Sequence, residues 1–221
     1  MSGVISAVEI KICGITRAQD AVAAVDLGAV MLGLNFYPQS PRCITLEQAQ
    51  KIARIVQGRV KLVGVFVNMN IEEVLRIARA VPLDAVQLHG DESLHDCELA
   101  AQEFEVIRAL KADAGFTTER SAEFACCRGL LVDTPSAGHG GSGESFPWAS
   151  VPWASLRRAS PALKVFLAGG LHAGNVAEAI AAAHPDVVDV CSGVESAKGI
   201  KSVSQMREFV AAVRAAERHK Q

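Results

Sequence analysis

Short apolar runs that alternate with helix-like segments along the whole chain constrain its fold more than any other feature. Eight runs have the length and apolar character of buried β-strands: residues 8–13, 30–36, 60–67, 85–88, 106–109, 130–133, 165–168 and 187–191. Apolar residues recur at helical spacing in residues 17–27, 46–56, 71–80, 93–102, 173–183 and 202–216, and less clearly after Gly115 and around Trp153. This alternation predicts an α/β fold with a parallel sheet.

Eight strand–helix units predict one (β/α)8 TIM barrel over residues 1–221, with short tails at 1–7 and 217–221. Each unit has about 27 residues, which is enough for a strand and its crossover helix. The alternative is an open doubly wound sheet, which needs only about five or six strands and would leave some apolar runs unused. No linker rich in Pro, Gly or Ser divides the chain, so we predict a single domain.

Composition excludes several classes of protein. The formal net charge is −2 and no basic block is present, so we expect neither nucleic acid nor a membrane as a partner. We expect a cytoplasmic protein, because the start of the chain lacks a signal-peptide pattern and no apolar run approaches about 18 residues. The six cysteines form no CxxC pair and the six histidines no HxxxH or HExxH motif. We therefore expect free thiols and no metal.

Polar residues and glycines follow nearly every predicted strand at its carboxyl end. Barrel enzymes carry their reactive groups at that end, where this chain places Cys13, Arg42, His89, Asp133, Gly169, Gly170, Ser192 and Gly193. The last four residues follow the seventh and eighth strands as two glycine turns. Because glycines let backbone N–H groups approach an anion, these turns predict a phosphate site. The pattern favours an enzyme or a small-molecule binder.

A glycine-rich segment at residues 138–145 matches two nucleotide-binding motifs only in part. Gly138, Gly140 and Gly143 formally give GxGxxG, but no apolar helix follows and no acidic residue ends the next strand. Glu144 occupies the position that a P-loop requires to be Lys. We interpret the segment as a mobile loop rather than a nucleotide site.

Several sequence motifs in order make the prediction specific. They are KICGIT (11–16), NFYPQSPR (35–42), VFVN (65–68), QLHGDE (87–92), LVDT (131–134), GGSG (140–143), LAGGL (167–171) and SGVE (192–195). Together they resemble successive motifs of the phosphoribosylanthranilate isomerase family, from residue 9 to about residue 202. Three positions depart from that pattern: Cys191 where Ser is usual, Lys198 where Pro is common, and Asn35 at a variable position.

The resemblance implies an Amadori rearrangement of N-(5-phosphoribosyl)anthranilate, in tryptophan biosynthesis, without a cofactor. It implies that Asp133 is the general acid, that Cys13 is the general base and that Arg42 holds the anthranilate carboxylate. The glycine turns would hold the phosphate. His89 could either line the pocket or bond a neighbouring loop, and Lys11 is expected to be structural or part of the pocket wall. The family contains monomers and dimers, so both remain open.

Elementary chemistry supports these roles. An ordinary Asp, with a pKa of about 3.9, is ionised at neutral pH, so an acid at Asp133 requires burial near an anion. A thiol that acts as a base at Cys13 needs a smaller pKa shift, since a few per cent of an ordinary thiol is already thiolate at pH 7. A histidine-pathway isomerase would require Asp at the position of Cys13. An indole-glycerol-phosphate-forming lyase would require a Lys general acid in a strand of the first half of the chain, and Lys61 lies at the start of its strand, which is the wrong end. A catalytically inactive phosphometabolite-binding protein is disfavoured, because both Cys13 and Asp133 are present.

Overall fold

The computed structural model describes residues 7–112, 117–133, 148 and 151–218. Eight parallel strands close into a barrel in sequence order, with β1 pairing both β2 and β8. The strands are β1 (Glu9–Ile12), β2 (Met31–Asn35), β3 (Lys61–Phe66), β4 (Ala85–Leu88), β5 (Glu105–Lys111), β6 (Gly129–Asp133), β7 (Lys164–Leu167) and β8 (Val187–Val190). The predicted single-domain (β/α)8 barrel is confirmed.

A helix follows each strand and packs against the outside of the barrel. The helices are α1 (Ala18–Asp26), α2 (Leu46–Val56), α3 (Ile71–Ala80), α4 (Leu94–Ala101), α5 (Thr118–Glu123), α6 (Trp153–Ala159), α7 (Val176–Ala183) and α8 (Val203–Arg218). The two segments with the weakest periodicity form the two shortest helices, α5 and α6. Helix α8 extends to Arg218, beyond the start of the predicted C-terminal tail at residue 217.

Local sequence explains where two of these helices begin. Thr45 accepts a hydrogen bond from the backbone of Gln48, whose side chain in turn accepts one from the backbone N–H of Thr45, which forms a capping box at α2. Asn70 caps α3 by accepting from the backbone of Glu72. Such caps satisfy backbone N–H groups that have no partner inside the helix, and each stabilises its helix by about 1 kcal/mol.

The period-2 alternation of the strands divides the core into two layers. Met31, Val63, Ala85, Ile107, Leu131, Phe166 and Val187 belong to one buried cluster inside the barrel. Their neighbours along the strands belong to a larger cluster between the strands and the helices. Residues two positions further along each strand therefore point into the barrel near its carboxyl end. This alternation determines which polar side chains reach the site.

Two differences from the sequence expectation bear on the site. Strand β5 continues to Lys111, two residues beyond the predicted end at residue 109. A two-stranded antiparallel sheet, β9 (Glu195–Ala197) and β10 (Ile200–Lys201), follows β8 and was not predicted. It returns the chain towards the barrel and brings Lys201 close to Cys191.

The predicted loop at residues 138–145 lies outside the described residues. Among the helices that the structure describes, none is long and apolar enough to cross a membrane.

Candidate active site

A cavity of about 520 Å³ opens at the carboxyl end of the barrel. Seven of the eight residues that the sequence nominates line it: Cys13, Arg42, His89, Asp133, Gly169, Gly170 and Ser192. The eighth, Gly193, lies against the neighbouring turn, where an added Cβ would come 1.9 Å from the carbonyl oxygen of Leu171. The nominated residues therefore lie around one opening, at the end of the barrel where they were expected.

Cys13 follows β1 and extends its pairing with β8, since its backbone N–H donates to the carbonyl of Val190 at 2.8 Å. The side chain points into the barrel because β2 has a glycine there: a Cβ on Gly33 would lie 2.6 Å from the Cys13 Sγ. The neighbouring Cys191 thiol and burial raise the pKa of the Cys13 thiol well above its usual value. Lys11 opposes this rise with its positive charge.

Beneath Cys13, a buried ion pair crosses from β1 to β8. The Nζ of Lys11 lies 2.7 Å from Oδ2 of Asp189, and the Lys11 side chain has no exposed surface. Burial raises the pKa of Asp189 to about 7, and Lys11 acts in the opposite direction. The second carboxylate oxygen, Oδ1, is buried without a hydrogen-bond partner among the described residues, and Asp189 lines the cavity.

On the opposite side of the cavity, Asp133 ends β6 and pairs with a histidine. His89 Nε2 lies 3.1 Å from Asp133 Oδ2, and His89 Nδ1 lies 2.7 Å from the side-chain amide nitrogen of Gln87. Gln87 lies on β4 and His89 directly follows its last residue, so the two side chains, two positions apart, both face the interior. His89 thus lines the cavity, and its hydrogen-bond partners there are two strand residues, Gln87 and Asp133.

Arg42 reaches the rim from the loop after β2 but is already paired. Its guanidinium forms two hydrogen bonds of 2.8 Å with the carboxylate of Glu195, and only 8% of the residue is exposed. Lys201 donates to the same carboxylate at 2.9 Å. The hydrogen bond with Glu195 raises the pKa of Arg42, so the group is a permanent cation at the cavity wall.

The two glycine turns close the cavity beside β7 and β8. Gly169 and Gly170 have backbone φ angles of 94° and 62°, which residues other than glycine rarely adopt. Asn175 fixes the first turn by donating to the Gly170 carbonyl at 2.9 Å. A short 3-10 turn, Ser192–Val194, forms the second. The first N–H groups of such a turn have no partner within it and are open to an anion.

Sequence reasoning missed five polar residues that complete this site: Gln87, Lys111, Asp189, Glu195 and Lys201. The first three could have been found from strand alternation, because each is two residues from another inward-facing position. Glu195 and Lys201 could not, since they depend on the β9–β10 sheet. Among the described residues, no group of three or more His, Cys, Asp and Glu side chains is arranged to hold a metal ion.

The position of this cavity and its opposed thiol and carboxyl groups are those of a (β/α)8-barrel enzyme. A model of the N-(5'-phosphoribosyl)anthranilate (PRA) isomerase family matches residues 10–212. The N-(5'-phosphoribosyl)anthranilate isomerase of Pseudomonas putida (strain W619) is 45% identical over 213 residues, covering 96% of this chain and 100% of that protein. The chain belongs to this family, and it is an isomerase of tryptophan biosynthesis.

Solved structures of relatives have the same fold. The phosphoribosyl anthranilate isomerase of Thermotoga maritima aligns with a TM-score of 0.86 and 37% identity, covering 94% of this chain and 99% of that one. A relative in complex with reduced 1-(o-carboxyphenylamino)-1-deoxyribulose 5-phosphate aligns with a TM-score of 0.83 and 35% identity, again over 94% and 99%. The likeness spans the whole barrel rather than one motif.

Proposed function

We propose that this chain converts N-(5-phosphoribosyl)anthranilate into 1-(2-carboxyphenylamino)-1-deoxyribulose 5-phosphate, with Asp133 as the general acid and Cys13 as the general base. The observation that carries the proposal is that these two groups, from β6 and β1, face one cavity. An aldose-to-ketose shift needs one proton donor and one proton acceptor around a sugar, and no redox group.

In the first step, Asp133 donates its proton to the ribose ring oxygen. The C1–O bond breaks, and the nitrogen lone pair forms a protonated Schiff base at C1. His89 supports this role, because neutral imidazole has one donor and one acceptor nitrogen. When the Gln87 amide oxygen accepts from Nδ1–H, Nε2 becomes an acceptor for the proton of Asp133.

In the second step, Cys13 removes the proton from C2. The electron pair of the C2–H bond forms the C1–C2 double bond and neutralises the Schiff base, giving an enolamine. Tautomerisation of the enolamine then gives the ketone. The positive charge of Lys11 lowers the pKa of Cys13 and so favours the thiolate that this step requires.

Substrate anchoring is assigned to the two ends of the cavity. The phosphate would lie against the glycine turns at Gly169–Gly170 and Ser192–Gly193, where backbone N–H groups are open. Arg42 retains N–H groups beyond the pair it shares with Glu195, because a guanidinium has five donors. Those remaining donors are the candidate partners of the anthranilate carboxylate.

A turnover assay with fluorescent phosphoribosylanthranilate tests the proposal. The purified protein should abolish the fluorescence without any added cofactor, and the product should be the deoxyribulose phosphate. Matched protein with Cys13→Ala serves as the control for traces of a contaminating enzyme. Persistence of the fluorescence with folded wild-type protein would overturn the proposed reaction.

A further inference from the structure

Two thiols, not one, lie at the base side of the cavity. Strands β1 and β8 pair in register with Ile12 opposite Val190, so the next position on each strand brings Cys13 beside Cys191. Both follow inward-facing residues by two positions, and both line the cavity. Each thiol shifts the pKa of the other, upwards for Cys13 and downwards for Cys191.

Cations outnumber carboxylates around this pair of thiols. Lys201 Nζ lies 3.8 Å from Cys191 Sγ and 2.9 Å from the Cys191 carbonyl oxygen. The positive charge of Lys11 acts on Cys13, two residues further along the chain. The charged groups that act on the pair from the surrounding elements are Lys11 on β1, Arg42 after β2, Lys201 on β10, Asp189 on β8 and Glu195 on β9. This setting favours one negative charge on the pair.

We propose that Cys191 is a positioning residue of the general base, and that it shares a single proton with Cys13. The inference rests on the proposed function and deepens it, because it assigns the base to a pair of thiols.

Two thiols in contact titrate as a pair. The first proton leaves easily, because the remaining S–H donates to the new thiolate and the nearby cations stabilise it. The second proton is retained, because a second thiolate would be repelled. Consistent with this, the hydrogen bond from Cys13 lowers the pKa of Cys191 to about 7, while the pKa of Cys13 is raised.

The resting pair then has its proton on Cys13 and its charge on Cys191. When the C2–H bond of the substrate breaks, the C2 proton binds to the Cys13 sulfur as the proton already there passes to Cys191. The electron pair of the broken bond enters the C1–C2 double bond, so the charge of the thiol pair goes from −1 to zero. A serine at position 191 could donate to a Cys13 thiolate, but its hydroxyl would not hold the charge near neutral pH.

Alkylation by iodoacetamide tests the pair without substrate. Trypsin separates Cys13 (residues 12–17) from Cys191 (residues 165–198), so mass spectrometry can follow each initial rate against pH. In the wild type, both cysteines should react with one common midpoint that lies below that of an ordinary thiol. In Cys191→Ala, the Cys13 midpoint should rise by about one unit or more towards that of an ordinary thiol, a drop of about tenfold in rate at pH 7.

The conservative variant Cys191→Ser separates this role from a merely structural one. It should fold like the wild type and give a Cys13 midpoint between the wild-type and alanine values. The midpoint of the acid limb in the pH profile of kcat/KM should rise in the same order, from the wild type through Cys191→Ser to Cys191→Ala. Independent midpoints for the two thiols, or a Cys13 midpoint unchanged in both variants, would overturn the pair. Failure of wild-type turnover with the common midpoint present would instead overturn the proposed function.

Discussion

Lys11 and Asp189 form an ion pair of 2.7 Å inside the barrel, directly below the two thiols. The Lys11 side chain has no exposed surface, and that of Asp189 has 6%. A buried pair of this kind gains little net stability, because removing two charges from water offsets most of their attraction. Its position suggests another use: it places a fixed positive charge beside Cys13.

Removing one member of this pair should be far more costly than removing both. Lys11→Met leaves the carboxylate of Asp189 buried without its cation, so we expect the free energy of unfolding to fall by about 3–5 kcal/mol. The double variant Lys11→Met/Asp189→Leu should recover most of that loss. Urea denaturation measures both. A double variant as unstable as the single one would contradict the argument.

The loss of stability caused by Lys11→Met should also depend on pH. An Asp whose folded pKa exceeds its unfolded pKa destabilises the fold increasingly as pH rises between those two values. The pKa of Asp189 is raised even with Lys11 present, and removing the lysine should raise that pKa further. Lys11→Met should therefore cost less at pH 5 than at pH 8. The exposed pair of Arg59 and Asp26 is the control: Arg59→Met should cost at most about 1 kcal/mol at either pH.

The sequence predicts the strands well because their apolar runs are fully buried. Strand β4 matches its predicted bounds, residues 85–88, and the other strands differ mainly at their ends. Strand β5 is the informative exception, since its alternation continues to Lys111, a charged residue that hides the end of the strand. Long polar side chains at the mouth of a barrel look like loop residues when only hydrophobicity is considered.

The site was predictable only where it depends on strand ends. Cys13 and Asp133 follow from the motifs, and alternation would have added Gln87 and Asp189. The contact of Arg42 with Glu195 joins residues 153 apart in sequence, and no local pattern predicts such a pair. The same holds for the contact between Cys13 and Cys191, which depends on the closure of the barrel by β1 and β8.

Removing the proposed acid or the proposed base should suppress turnover while leaving the barrel folded. We expect Cys13→Ala and Asp133→Asn each to lower kcat by at least about 10²-fold, the usual scale of general acid–base catalysis. Circular dichroism and thermal unfolding establish that each variant is folded. Near-normal kcat in either folded variant would remove that residue from the mechanism.

Removing His89 should reduce kcat more than it changes KM. The imidazole contacts Asp133 rather than the proposed anchoring groups, so its loss disturbs the proton donor and leaves substrate binding largely intact. We expect His89→Asn to lower kcat by about 10-fold or more. His95→Asn is the matched control, because His95 is exposed on α4, outside the cavity lining. Equal effects of the two substitutions would show that His89 has no special role.

Truncating Arg42 should mainly weaken binding. Holding a carboxylate contributes equally to the ground state and the transition state, so Arg42→Ala should raise KM by about tenfold, or about 1.4 kcal/mol. KM should be measured at about pH 8.5, near the pKa of an ordinary thiol. At that pH, losing the positive charge of Arg42 near Cys191 has less effect on the fraction of the proposed base that is ionised.

Arg17 provides the control for this substitution, because it forms a similar two-bond pair with Asp20 but does not line the cavity. Arg17→Ala should leave KM unchanged. A second comparison uses a substrate made from aniline, which lacks the carboxylate: Arg42→Ala should then change KM little. If KM for phosphoribosylanthranilate stays at its wild-type value in Arg42→Ala, the arginine serves only to hold Glu195, and the carboxylate must bind elsewhere in the cavity.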